Sequence, residues 1–160
     1  MTSAPTDTSR PVADRIEVAA PSVAAALARL VGRLPASWRR RALTGAFSRA
    51  EAAFNRGDFD AIFALFDDDV SYVPPPVLSE TPIRGRDAVL AFWQGISLRF
   101  AQNTITNLSL EEAAPTRFVR TARLTHRNED DVLEYVIRQV TDVRGGRVIS
   151  QVNETIVPQA

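Results

Sequence analysis

The first two thirds of the chain carry apolar residues at the spacing of one-sided α-helices. Pro21 and Ser22 open the first such segment, Pro35 ends it, and a second helix begins near Ser37 and stops at Gly57. Asp58 is the predicted N-cap of a short third helix, and a fourth follows Arg86 and Asp87. The four stripes are Val23, Leu27, Leu30, Val31 and Leu34; Leu43, Phe47, Ala50 and Phe54; Phe59, Ile62, Phe63 and Phe66; and Val89, Phe92, Trp93, Ile96 and Phe100.

The remaining segments have the period of β-strands. Residues 70–78 are extended but contain three prolines, which confine them to a sheet edge or a loop-like strand because proline cannot donate a ladder hydrogen bond. Four longer runs follow at 103–111, 117–126, 132–143 and 147–157. Gly145 and Gly146 predict a two-residue hairpin turn between the last two. Asp67, Asp68 and Asp69 are expected to be solvated at the end of the third helix.

This order of helices followed by an antiparallel meander predicts an α+β fold. Residues 1–20 are rich in Ser, Thr, Pro and Ala without a period, which is typical of a mobile tail. The helix within 21–35 is expected to be an extra amphipathic element, and 36–158 to form the main domain. The 22–41 region is basic and amphipathic; it is interpreted either as a docking element or, preferably, as a helix that covers the domain or a dimer seam.

Composition removes most classes of chemistry. The 160 residues include no cysteine and one histidine, His126, and every one of the 19 basic residues is arginine. Thiolate, lysine Schiff-base and multi-histidine zinc chemistry are therefore excluded, and we expect no cofactor and no metal. A net charge of zero does not indicate nucleic-acid binding, even with the Arg39–Arg41 cluster. No membrane span or signal peptide is predicted, so we expect a cytoplasmic protein.

Three stretches resemble the nuclear transport factor 2-like superfamily, in its SnoaL-like and ketosteroid isomerase-like branches. They are AFNRGDFD at 53–60, ALFDDDV at 64–70 and IRGRDAV at 83–89. The resemblance covers about 37–157 and implies a cone-shaped curved sheet wrapped around the helices, with a pocket between them. It also implies a homodimer and a hydrophobic small-molecule ligand.

The ketosteroid isomerase mechanism does not transfer to this chain. In that pattern the oxyanion tyrosine of the long helix falls at Ala50 and the general-base aspartate at Pro74. The second oxyanion donor falls at Gln139 or Arg138. At least two of the three roles are therefore vacant, and this mechanism is rejected.

The sheet face predicted to point inward depends on the last hairpin. If the glycine turn has two residues, Ile137 lies opposite Glu154 and Gln139 opposite Val152 on a mainly apolar face. The other face then carries Glu134, Arg138, Asp142, Gln151, Asn153 and Thr155. Glu154 becomes a carboxylate on the inner face, where desolvation would raise its pKa.

This register yields a candidate site. The catalytic candidates are Glu154, Tyr72 and His126, and the substrate-binding candidates are Gln139, Trp93, Tyr135 and Phe54. Alternatives remain: Glu154 can pair with Arg120 or reach solvent, and a one-residue slip would turn it outward. His126 can be exposed beside the polar turn after it, and Tyr72 and Trp93 can be core residues.

Two functions remain open from the sequence. The first is an enzyme that moves a proton during isomerisation, cyclisation or epoxide/water chemistry on an apolar oxygenated metabolite. The second is a non-catalytic ligand-binding or dimerisation module of the same fold.

Overall fold

Five helices and six strands follow one another in the computed structural model, which describes residues 10–156 without the side chain of Val23. The helices are α1 (Val12–Ala19), α2 (Pro21–Val31), α3 (Ala36–Asn55), α4 (Phe59–Phe63) and α5 (Arg86–Arg99). The strands are β1 (Phe66–Val73), β2 (Ile83–Arg84), β3 (Gln102–Ala114), β4 (Arg117–Arg127), β5 (Val132–Arg144) and β6 (Arg147–Ile156). None of the described helices is long and apolar enough to cross a membrane.

All six strands form one sheet in the order β2-β1-β6-β5-β4-β3. The predicted α+β fold is confirmed, with one addition: β1 pairs with β6 in parallel, whereas the other neighbours are antiparallel. Asp58 caps α4, as predicted, by accepting a hydrogen bond from the backbone N–H of Ala61. The sheet curves around the helices, and most of the chain's aromatic residues pack between the two layers.

The N-terminal segment differs from the predicted tail, because Val12–Ala19 forms α1; residues 1–9 lie outside the described residues. Long-range ion pairs hold α1 in place. Asp14, on α1, is buried and accepts a hydrogen bond from Arg56 at 2.8 Å, and Arg10 donates to Asp58 at 2.9 Å. Local sequence patterning missed this helix because its partners lie more than 40 positions away.

The boundary between α4 and β1 is also earlier than predicted. α4 ends at Phe63, and β1 already begins at Phe66, so the prediction that Asp67–Asp69 sit at a helix end is wrong. In the strand, Val70 and Tyr72 point into the core while Asp68 and Asp69 are exposed. The short strand β2, which pairs with β1, was not predicted.

The β5–β6 hairpin has the predicted glycine turn but not the predicted register. Gly145 and Gly146 both adopt positive φ, and Val143 pairs with Val148 as expected. The next pair, however, is Asp142 with Ser150, so Ile149 is an extra residue in β6. This bulge exchanges the two faces of β6 from Ser150 onward.

Helix α2 rests directly on this hairpin. Ala24 and Ala25 are buried, and a Cβ atom placed on Gly146 would overlap the backbone of Ala25. The expected apolar stripe contacts the protein less than predicted, since Leu27 and Leu30 remain more than half exposed. Small residues on both sides therefore allow α2 to cover the open side of the sheet.

Candidate functional site

A cavity of about 800 Å³ lies between α2, α3 and the sheet strands β4 to β6. Its wall is mainly apolar, and a cavity of this size and character is typical of small-molecule sites. Ala46, Phe47 and Ala50 of α3 face Phe118, Val143 and Val148 of the sheet across it, and Leu27 and Ala28 of α2 complete the wall. Ala50, the position at which the sequence resemblance placed the ketosteroid isomerase tyrosine, contributes a methyl group to this wall.

The sheet side of the cavity carries four buried polar side chains. They are Arg120 of β4, Gln139 and Thr141 of β5, and Gln151 of β6. Arg120 pairs across the strands with Gln139, and Thr141 pairs with Gln151, so the four form a compact polar floor. The cavity therefore combines an apolar body with a few convergent hydrogen-bonding groups.

Arg120 is the buried cation of this floor. Its side chain packs over the ring of Phe47, with the guanidinium carbon 5.4 Å from the ring centroid. Nη1 donates to Asn107 Oδ1 at 3.0 Å, and Nε has no hydrogen-bond partner within the described part of the chain. Burial lowers the pKa of Arg120 to about 10, so the group is still charged at neutral pH.

Two carboxylates of α1, Asp14 and Glu17, reach the helical side of the cavity. Asp14 is engaged by Arg56, whereas Glu17 accepts a longer hydrogen bond of 3.4 Å from Arg49. Desolvation raises the pKa of Glu17, and the Arg49 charge opposes that rise only in part. Glu17 is thus a carboxylate at the cavity wall that is protonated more readily than a free glutamate.

The prediction that Glu154 faces the pocket is wrong. The bulge at Ile149 places Glu154 opposite Arg138 on the outer face, where its side chain is 59% exposed. Arg138 Nη1 lies 3.3 Å from Glu154 Oε2, so the ion pair forms with Arg138 and not with Arg120. The inner positions fall instead to Gln151 and Asn153, which had been assigned to the outer face.

Tyr72 and Trp93 meet in the core rather than at the cavity wall. Trp93 Nε1 donates to the Tyr72 hydroxyl at 2.9 Å, and Asn153 lies in the same buried polar cluster. Asn153 in turn accepts from Gln139 Nε2 at 2.7 Å and donates to the Val73 carbonyl. Burial raises the pKa of Tyr72, so its hydroxyl stays protonated. Of these four side chains, Gln139 alone contributes to the cavity lining.

His126 is fully buried, so the alternative of an exposed histidine is wrong. Its Nδ1 lies 2.6 Å from Asn103 Oδ1, and its Nε2 lies 2.8 Å from the Tyr135 hydroxyl. Asn103 Nδ2 donates to the Phe100 carbonyl, which leaves Oδ1 to accept from a protonated Nδ1 and makes Nε2 the acceptor for Tyr135. Burial lowers the pKa of His126 to about 4, which agrees with this neutral tautomer.

The predicted site residues thus occupy different parts of the molecule. Tyr72, His126, Trp93, Tyr135 and Phe54 belong to the packed interior, Glu154 to the outer face and Gln139 to the cavity. Sequence reasoning considered Arg120 only as a possible partner of Glu154 and gave it no role in the site. Gln151 and Glu17 were missed, because one depends on the bulge and the other on α1.

The comparisons with known proteins agree with this architecture. The sequence profile of the SnoaL-like domain matches residues 47–151. No curated protein sequence matches significantly. Bal32a, from a soil-derived mobile gene cassette, superposes with a TM-score of 0.62 at 23% identity, covering 70% of this chain and 87% of its own.

Two further solved structures share the fold. TerC, co-crystallised with polyporic acid, gives a TM-score of 0.60 at 14% identity over 71% of this chain and 90% of its own. An LEH-like epoxide hydrolase from M. tuberculosis gives 0.58 at 16% identity over 69% and 80%. At these identities the likeness shows the fold alone. Because the family profile covers most of the chain, this protein belongs to the SnoaL-like domain family.

Proposed function

We propose that this protein binds an apolar, oxygenated small molecule in the cavity between α2, α3 and the sheet. The observation that carries the proposal is the cavity itself, about 800 Å³ with an apolar wall and a floor of four buried polar side chains. The apolar wall would bury the ligand's hydrocarbon body, and the floor would orient its oxygen atoms. TerC, a neighbour in fold, was crystallised with an organic acid, which supports a ligand of this kind.

Two alanines of α3 offer a matched test of this site. Ala50 lines the cavity, whereas Ala52, on the same helix, is exposed and does not line it. A phenylalanine at position 50 would occupy ligand space. Methyl 2-naphthoate, a neutral aromatic ester, serves as the probe, and its dissociation constant is measured by isothermal titration calorimetry.

We expect the wild-type protein and Ala52→Phe to bind the ester equally, and Ala50→Phe to bind it at least about tenfold more weakly because the volume is filled. Thermal unfolding of both variants checks that they fold. Binding to Ala50→Phe at wild-type affinity would contradict the proposal.

A second candidate function is proton transfer on the bound molecule, as in isomerisation, cyclisation or epoxide/water chemistry. Glu154, Tyr72 and His126 do not carry it, because none of them lines the cavity. The observation in its favour is Glu17, a carboxylate at the cavity wall with a raised pKa. If the protein does not catalyse proton transfer, its function is the other one left open by the sequence, a non-catalytic ligand-binding or dimerisation module.

A further inference from the structure

Arg120 is charged, buried and incompletely bonded. The residue is 8% exposed, and its guanidinium donates a hydrogen bond from Nη1 to Asn107. The buried Nε–H has no acceptor among the described residues. Buried donors in folded proteins nearly always have a partner, so an unpaired one calls for an explanation.

The charge of Arg120 is likewise without a direct counterion. None of the ion pairs within residues 10–156 includes this residue. Glu51 acts on it only through space, since its carboxylate accepts the backbone N–H of Asn107 at 2.8 Å. Buried cations are normally paired with an anion, and this one is not.

The residues around Arg120 define where an anion would bind. Arg120 is a lining residue of the cavity, its aliphatic and guanidinium parts are held by Phe47 and Asn107, and Gln139 stands opposite it on β5. The guanidinium is therefore held in place before any ligand arrives. A preorganised guanidinium in an apolar cavity binds anionic oxygens, because charge-assisted hydrogen bonds are strongest where water is excluded.

We infer that Arg120 anchors an anionic oxygen of the ligand, so that the cavity selects hydrophobic organic anions, carboxylates or enolates, over neutral molecules of the same shape. This inference rests on the proposed function and names the class of its ligand. The apolar wall would accept the hydrocarbon part, while Arg120 would supply the missing charge partner.

A pair of matched probes tests the inference on the wild-type protein. The probes are 2-naphthoate and its methyl ester, which share a ring system and differ in charge. We expect the carboxylate to bind at least about tenfold more tightly than the ester, and Arg120→Met to remove that preference while it retains the ester. Arg123→Met is the control, because Arg123 lies on the same strand with its side chain 52% exposed.

A third probe separates carboxylates from enolates. 1-Phenylbutane-1,3-dione forms an enolate that absorbs at longer wavelength than the neutral compound. If Arg120 also accepts enolates, the diketone ionises at lower pH when bound to the wild-type protein or Arg123→Met than when bound to Arg120→Met. Arg120→Lys, which keeps the charge but loses the fork of donors, should show intermediate preferences.

The outcomes distinguish the inference from the proposed function. Equal affinity for naphthoate and its ester, with no effect of Arg120→Met on either anionic probe, would overturn the inference and leave the cavity as a neutral ligand site. Failure of all three probes to bind the wild-type protein would overturn the proposed function and the inference with it. The comparison of naphthoate with its ester on the wild-type protein tests the inference even if Arg120→Met does not fold.

Discussion

The two ends of the molecule treat buried polar groups differently. In the packed end, around β1, α5, the first halves of β3 and β5 and the second half of β4, each of Tyr72, Trp93, His126, Tyr135 and Asn103 has a buried hydrogen-bond partner. In the open end, around α2, α3 and the last hairpin, Arg120 has an unpaired Nε, and its neighbours Thr141 and Gln151 line the cavity.

Under the proposed function, this difference separates polar residues that serve stability from those that would bind the ligand. A satisfied network fixes one arrangement of side chains and has no donor left for a ligand. An unsatisfied donor beside a cavity lowers the stability of the ligand-free protein and is compensated on binding. Residue type alone does not separate the two cases, since tyrosine and histidine suggest chemistry but here complete the core.

The largest effect is expected at the packed end, through the pH dependence of His126. Its pKa is lowered from 6.5 to about 4 by burial, so the unfolded chain binds its proton at higher pH than the folded chain does. The free energy of unfolding therefore has its full value above pH 6.5 and decreases by about 3 kcal/mol as the pH falls toward 4. Urea unfolding at a series of pH values between 4 and 7 measures this slope.

His126→Gln provides the comparison, because it removes the chain's single imidazole. The variant will be less stable at neutral pH, but its free energy of unfolding should change less steeply between pH 6.5 and 4. An unchanged slope would show that carboxylates alone govern acid unfolding and that His126 is not held neutral.

An intermediate effect is expected where α2 covers the open end. Gly146 and Gly145 both have positive φ, so alanine strains the backbone at either position by about 1 to 2 kcal/mol. At Gly146 the added Cβ also meets the backbone of Ala25, whereas at Gly145 it has no neighbour within 4 Å. We therefore expect Gly146→Ala to cost about 1 kcal/mol or more beyond Gly145→Ala.

Hydrogen exchange locates this extra cost. Gly146→Ala should raise the exchange rates of α2 amides, whereas Gly145→Ala should leave them as in the wild-type protein. Equal exchange in the two variants would mean that α2 does not rest on the hairpin, and the cavity would then lack its cover.

The sequence was sufficient for the fold but not for the site, for reasons visible in particular residues. The α3 and α5 helices and the Gly145–Gly146 turn depend on neighbours in sequence and were predicted correctly, whereas the boundary between α4 and β1 was not. The orientation of Glu154 depends on a single extra residue, Ile149, which exchanges the faces of β6. The pairing of α1 depends on ion pairs with residues of α3 and beyond, which no local pattern reveals.

The smallest effect on stability is expected at Glu154, the proton-transfer candidate from the sequence, which is compared here with Glu17, the candidate from the structure. Glu154 pairs with Arg138 on the outer face, and Glu17 meets Arg49 at the cavity wall. Exposed pairs contribute little, so Glu154→Gln should change the free energy of unfolding by no more than about 0.5 kcal/mol.

Glu17→Gln and Glu154→Gln should differ in chemistry. If the second candidate function holds, Glu17→Gln removes proton transfer and Glu154→Gln retains it. The exchange of the α-protons of propiophenone for deuterium, followed by proton NMR in D₂O, measures this directly. Acceleration that survives in Glu17→Gln would exclude Glu17 as the acid–base group, and no acceleration with the wild-type protein would leave binding as the function of the cavity.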